Sequence, residues 1–325
     1  MKKRIHYAVI ISLFSLSLTA CASNDTSYNE KNDISTVELQ DFAVATSLPV
    51  QTDAVRSNNP ICLVPQASGK IQYANSLAVI DASNSSEGYI MVSYKGNNHK
   101  VKLQITGPDA VTYTYNLNGS GYEVFPLSAS SGAYKVAVYE NVTGNQYSTA
   151  LSKNFDVIIT NTFGPNLYPN QYVDFTADSM VVAKAKELAE NCSNDLDVVS
   201  KVYNYVSSSI TYDHQKAATV QSGYTSKVDT ILCSGTGICL DYAAVMTSML
   251  RSQNIPTRLE VGYAGSAYHA WISTYITDVG WVNGIIQFDG ESWSLMDPTF
   301  AANSSEAALK SFIGNGSNYQ TKYVY

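Results

Sequence analysis

Charge is what this chain has least of. Only 14% of its 325 residues are Asp, Glu, Lys or Arg, against about 25% in an ordinary soluble domain. The formal net charge is −7. An acidic balance without a basic stripe argues against a nucleic-acid partner. Histidine is scarce at four residues and tryptophan at three. After the first twenty residues no apolar run approaches the ~18 residues of a membrane-spanning helix. Heptads, Gly-X-Y periods and blocks of like charge are missing too, which excludes a coiled coil, collagen and a solvating tail. What is there is neutral and aromatic: 24 Tyr stand beside nine Phe, and 45% of the chain is hydrophobic. That is enough to bury a core, and the length suits roughly two domains.

The first twenty residues read as a targeting segment. Lys2, Lys3 and Arg4 precede an apolar run from Tyr7 to Leu18, which ends in Leu18-Thr19-Ala20-Cys21. The run is too short to span a bilayer, which takes ~20 residues. The ending resembles the lipobox of bacterial lipoproteins, in which the chain is cut before the cysteine and that cysteine is lipidated. An ordinary secretory cleavage near Ala22 is the alternative. Cutting after residue 20 removes three positive charges and no acid, taking the formal charge from −7 to −10. The expectation is a chain anchored through lipid on Cys21, facing the extracytoplasmic side of a bacterial cell membrane. Residues 22–35 read as a polar tether, and 36–75 are broken by Pro49, Pro60 and Pro65 without a clear period.

From 76 to about 160 apolar residues alternate. Tyr89–Tyr94, Val101–Ile105, Thr112–Tyr115, Tyr122–Phe125, Tyr134–Tyr139 and Phe155–Ile159 are predicted strands, separated by turns such as Lys95-Gly96-Asn97-Asn98 and Asn118-Gly119. Six or more short strands at ~8–12-residue spacing predict an all-β, Ig-like sandwich over 76–162. Phe163–Asn170 reads as a crossing into a second domain, 163–325. There, Ser179–Glu190 and Asp195–Ser207 are predicted helices, the second with Leu196, Val199, Val202, Tyr203 and Val206 on one stripe. Residues 214–232 read as a polar loop. His214 beside Asp213 reads as a solvated pair there, and His99 as a surface residue at a hairpin.

The chemistry gathers further on. Gly235 and Gly237 break the chain just ahead of a helix whose apolar positions are 240, 243, 246, 249 and 250, and Cys239 sits in its first turn. A helix N-terminus carries partial positive charge and unpaired N–H groups, which favour a thiolate and offer donors to an oxyanion. His269 lies near the start of the alternating run Tyr268–Tyr275, where it can act as base toward a thiol. Asp297, at the end of Trp293–Met296 and ahead of Pro298, can hold the far nitrogen of the imidazole. A zinc site from Cys233, Cys239 and His269 is disfavoured, since Cys-x₅-Cys is not a usual ligand spacing.

The runs Gly237-Ile238-Cys239-Leu240-Asp241-Tyr242-Ala243, His269-Ala270-Trp271 and Asp297-Pro298-Thr299 resemble the transglutaminase-like superfamily, over about 175–300. The layout as a whole resembles bacterial lipoproteins with a C-terminal domain of this kind. The resemblance implies a papain/transglutaminase-like α+β domain with a Cys239–His269–Asp297 triad. It implies a cysteine enzyme that attacks a carboxamide or peptide carbonyl and forms a thioester, which water hydrolyses or an amine captures. It implies a protein or peptide substrate, of the cell wall or outside the cell, and needs no cofactor or metal. No Trp precedes Cys239 to serve as a second oxyanion donor, and Tyr212 is the substitute candidate. A surface adhesion or binding lipoprotein on the same fold is the rival reading. With Cys21 lipidated and Cys239 a thiol, three cysteines remain, and Cys192–Cys233 is the expected disulfide because both lie in the second domain.

Overall fold

The computed structural model describes residues 55–325 except 120, 278, 284, 289–292 and 297–318. The chain divides into two units, Met1–Val50 and Gln51–Tyr325, and every described residue belongs to the second. Cys21 and Asp297 therefore lie outside the described residues.

Eight strands come first: β1 (Gln72–Ala74), β2 (Ala78–Asp81), β3 (Tyr89–Tyr94), β4 (Val101–Thr106), β5 (Thr112–Leu117), β6 (Tyr122–Pro126), β7 (Gly132–Thr143) and β8 (Gln146–Val157). They form two four-stranded antiparallel sheets, in the orders β1-β2-β3-β6 and β5-β4-β7-β8. All six strands expected from alternation are present. The last begins nine residues earlier than expected, at Gln146, and ends at Val157. In β4, Val101, Leu103 and Ile105 are buried while Lys102, Gln104 and Thr106 are half-exposed. This is the period of two made physical: successive side chains leave a strand on opposite faces. Ile80, Ile90, Val92 and Phe125 of one sheet join Leu103, Tyr115, Val136 and Val138 of the other in the core.

The second half opens with α1 (Met180–Leu188) and α2 (Asp195–Ser209). Asn194 caps α2 by accepting from Asp197 N at 3.0 Å, and Asp195 and Asp197 suit the positive end of the helix. The stripe is Val198, Val199, Val202, Tyr203 and Val206, with Leu196 only half-buried. Then come β9 (Thr211–Tyr212), α3 (His214–Thr219), α4 (Val228–Ser234) and β10 (Thr236–Gly237). The expected polar loop over 214–232 thus carries two short helices with a loop, 220–227, between them. Asp213 starts the first by accepting from Lys216 N at 2.8 Å. Helices of six and seven residues are held by packing rather than propensity, so they leave little periodicity to read.

The helix α5 (Cys239–Ser252) follows. Every residue from Asp241 to Ser252 is buried, because α1, α2 and α4 and the sheet behind it surround it. A helix enclosed on all sides has no polar face, so the single apolar stripe expected for it understates its burial. That sheet has the order β13-β12-β11-β16, built from β11 (Thr257–Ala264), β12 (Ala267–Ile276), β13 (Gly280–Asn283) and, from much later in the chain, β16 (Tyr319–Val324). Between β13 and β16, β14 (Ile285–Phe288) pairs with β15 (Trp293–Met296). At the other end, residues 56–61 run along the helices. Arg56 Nε meets Asp195 at 2.6 Å and Ile61 N donates to Ser252 O at 2.8 Å.

Two aromatic and cationic features tie the halves together. Tyr325 packs on Tyr172 with ring centroids 4.0 Å apart, and edge-on against Tyr113 and Tyr115 of β5. Arg251, fully buried in α5, donates to the carbonyls of Tyr168, Thr257 and Tyr325 at 2.7, 2.9 and 2.8 Å. Burial pulls its pKa down to about 9. Three carbonyl dipoles aimed at the guanidinium keep it charged at neutral pH.

A candidate active site built on Cys239 and His269

The glycines ahead of α5 do local work. Gly235 ends α4 at φ +62°, a left-handed position that suits glycine. At Gly237 a Cβ would come within 2.7 Å of Asp241 Cβ, so only glycine lets the chain turn that tightly into the helix. Gly237 pairs with Tyr212 in a short parallel bridge, and Asp213 N donates to Gly237 O at 2.9 Å. Cys239 is thus the first residue of α5 and lines the same cavity as Tyr212.

Ile238 at the N-cap has no side-chain oxygen to satisfy the helix. The half of a capping box that is present comes from the acid three residues on: Ile238 N donates to Asp241 Oδ2 at 2.9 Å. That carboxylate is wholly buried and also receives Lys216 Nζ and Tyr224 Oη, each at 2.7 Å. Lys216 and Tyr224 are themselves 2.6 Å apart. Burial opposes the Lys216 charge, but its bonds to Asp241 and Tyr224 outweigh that and raise its pKa above the usual lysine value.

His269 is buried on β12, opposite Gly262 of β11, and its ring runs roughly parallel to that of Trp271 at 6.2 Å. Cys239 and His269 line one cavity of about 620 Å³. Tyr212, Leu240, Tyr268 and Tyr325 line it as well, and the sheet module closes the far side with Lys102, Thr114 and Asn116. Tyr268 and Val220 are exposed at its edge. The segment between α3 and α4 completes the wall. Gly223, at φ +85°, lies so close to Asn116 that a Cβ would sit 2.0 Å from its amide nitrogen.

Of the expected site residues, Cys239, His269 and Tyr212 therefore meet in one cavity. Asp297 and Cys21 lie outside the described residues. The expected Cys192–Cys233 disulfide is not formed: both are free thiols. Cys233 contacts Met180 Sδ at the start of α1, while Cys192, four residues past its end, is directed at Leu188 O. Nine helical residues, about 13 Å at 1.5 Å each, hold the two sulfurs at opposite ends of that helix. His214 stacks edge-on against Tyr212 at 5.0 Å, and Asp213 caps α3, so that pair has a structural place. His99 is exposed, as expected. Two groups were given no role of their own from the sequence. Asp241 was visible as an acid inside an otherwise buried helix, a usable signal. Lys102, Thr114 and Asn116 sit on the polar side of ordinary alternating strands and carried none. Among the described residues no cluster of His, Cys, Asp and Glu could hold a metal ion, and no helix is long and apolar enough to cross a membrane.

A thiol opening a buried helix, a histidine on the adjoining sheet and a cleft between them make a candidate cysteine-centred site in a domain of mixed helices and strands. Residues 182–284 match the model of the transglutaminase-like superfamily. The chain is 24% identical over 189 residues to YebA of Bacillus subtilis strain 168, itself uncharacterized; the match covers 51% of this chain and 25% of YebA, so the chain spans about a quarter of that curated relative. Among solved structures, the periplasmic domain of TgpA from Pseudomonas aeruginosa is similar at 17% identity and a TM-score of 0.33, over 76% of this chain and 80% of that one. Red sea bream transglutaminase is similar at 16% identity and a TM-score of 0.25, over 65% of this chain and 48% of that one.

Proposed function

We propose that this protein is a membrane-anchored, extracytoplasmic cysteine enzyme acting on amide or peptide bonds. The observation that carries the reading is that Cys239, at the first position of α5, and His269, on β12, line the same cavity. In this reading His269 takes the thiol proton as Cys239 Sγ bonds to the substrate carbonyl carbon. The same imidazole gives that proton to the departing amine as the C–N bond breaks, leaving a thioester. Water then releases an acid, or a second amine an amide, and Cys239 regains its proton. Asp297 is assigned the role of holding the imidazole, and Tyr212, which lines the same cavity, that of a second donor to the oxyanion. Lipid on Cys21 supplies the anchor. The eight-stranded module is read as an Ig-like sandwich that forms the far wall of the cleft for a protein or peptide substrate.

The test is to trap the thioester on intact surface proteins and to measure turnover in Cys239→Ala, His269→Ala, Asp297→Asn and the last two combined. Cys239→Ala abolishes the trap, and His269→Ala does nearly as much. The double variant is no worse than His269→Ala alone, because the three groups act as a unit. Small, additive losses overturn the triad. A Cys239 inert to alkylation, with no trapped species, gives way to a binding lipoprotein on the same fold. Membrane fractionation that persists in Cys21→Ser overturns the anchor.

A further inference from the structure

Cys239 and Asp241 occupy the first and third positions of the same helix. A carboxylate there serves the fold, since it caps Ile238 N and takes the hydroxyl of Tyr224. It works against the chemistry, since a negative charge in the first turn cancels the positive helix end that favours a thiolate. Wholly buried, it is little screened by solvent. The Lys216 ammonium, 2.7 Å away, comes from a different element and is the counter-charge.

We propose that Lys216 is a positioning residue of the Cys239 site: its ammonium neutralises the buried Asp241 carboxylate, so that the acid can shape the cleft wall without suppressing the thiolate. The inference rests on the reading of Cys239 as a nucleophile. The other groups around Cys239 do not supply this balance. Lys102, on β4 across the cleft, leans over Tyr147 at 5.3 Å. Asp213 caps α3. His269 and Tyr268 come from β12, and the remaining titratable neighbours are Tyr172, Tyr212, Tyr224, Tyr323 and Tyr325, none of which carries a positive charge.

Charge balance has a sign that a merely structural cluster lacks. The experiment follows iodoacetamide labelling of the full chain at pH 7 and low salt, reading the Cys239 peptide by mass spectrometry beside the exposed Cys233. Lys216→Met slows Cys239 labelling about two- to fivefold, and Asp241→Asn speeds it by a similar factor, as a charge in the first turn dictates. The double variant returns to within about twofold of the parent, and Lys216→Arg keeps the parent rate. If the cluster only props the wall, both single variants open the cleft and speed labelling alike, which overturns the proposal. Should Asp241→Asn fail to fold, Lys216→Met decides alone, since Lys216 is 26% exposed and its loss is tolerable; an unchanged or faster rate there overturns the proposal. A parent Cys239 that labels no faster than Cys233 overturns the catalytic reading itself and the proposal with it, and is told apart by the parent rate.

Discussion

In the eight-stranded module the buried polar side chains are Asp81 and Ser93, whereas the stretch from Asp241 to Thr274 alone buries Asp241, Arg251, Gln253, Glu260, His269 and several Ser and Thr. The module is held by apolar faces packed through alternation, with its lysines outside: Lys102 and Lys153 lie over the rings of Tyr147 and Tyr73. The helical half instead sinks charges into its core and answers them with carbonyls, hydroxyls or an opposite charge. Burying ions rarely adds net stability, because desolvation offsets the attraction. Here the buried acid and the fully surrounded helix lead to the one thiol that lines the cleft with a histidine. The domain that carries the site is therefore the one that departs from simple patterning.

That contrast can be broken at its strongest point first. Cys239→Ala removes all turnover while leaving the unfolding midpoint nearly unchanged, since the side chain is half-buried; thioester trapping and denaturant unfolding check the two halves of this statement. Arg251→Met leaves three carbonyls without their donor and costs about 2–4 kcal/mol in urea unfolding; a cost as small as that of a surface change would mean the domain tolerates an apolar core there. Gly223→Ala places a methyl where Asn116 already lies and strains a positive φ, costing about 1–2 kcal/mol. It also speeds trypsin or chymotrypsin nicking within 216–224, whereas the same change at Gly144, with open space around it, has no such effect on proteolysis.

Lys216 sharpens the contrast through pH. Its pKa is raised in the folded state, so the stability it contributes is complete below the unfolded value of about 10.5. That stability is lost as pH rises through the folded value. The difference in unfolding free energy between the parent and Lys216→Met is therefore present at pH 8 and shrinks once pH has climbed past the ordinary lysine value. The smallest effect falls in the module: Tyr115 Oη is buried without a hydrogen-bond partner, so Tyr115→Phe is neutral or slightly stabilising, by up to about 1 kcal/mol.

The legibility of the sequence follows the same division. Val101-Lys102-Leu103-Gln104-Ile105 announces its strand, because alternation is a local property and one face is buried. Gly235, Gly237 and Cys239 announce the start of α5 for the same reason: the turn chemistry is local. What was hidden depends on partners far along the chain. The helices of 214–234 exist because Asp241 and the surrounding elements hold them, and the wall formed by Asn116 exists because Gly223 lies on it. The cysteine pairing was misjudged because sequence proximity to one domain says nothing about which ends of α1 the sulfurs face.

The ladder between β11 and β16 joins Glu260 to Val324, 64 positions apart, while Cys239 and His269 are separated by 30. Closing the longer loop costs more chain entropy, by about 0.6 kcal/mol per doubling of length. During synthesis the helix and hairpin bearing the thiol and the imidazole are also made first. Order of assembly thus differs from order of importance: the reactive pair can be in register while the strand that leads into Tyr325 has yet to arrive. Until it does, Arg251 lacks one of its three carbonyls and the tyrosine floor of the cleft has a gap. Slow, non-local pairing of this kind sets folding rates. Refolding should therefore restore helical signal before it restores the protected environment of Tyr325, and a competent cleft is among the last things this chain acquires.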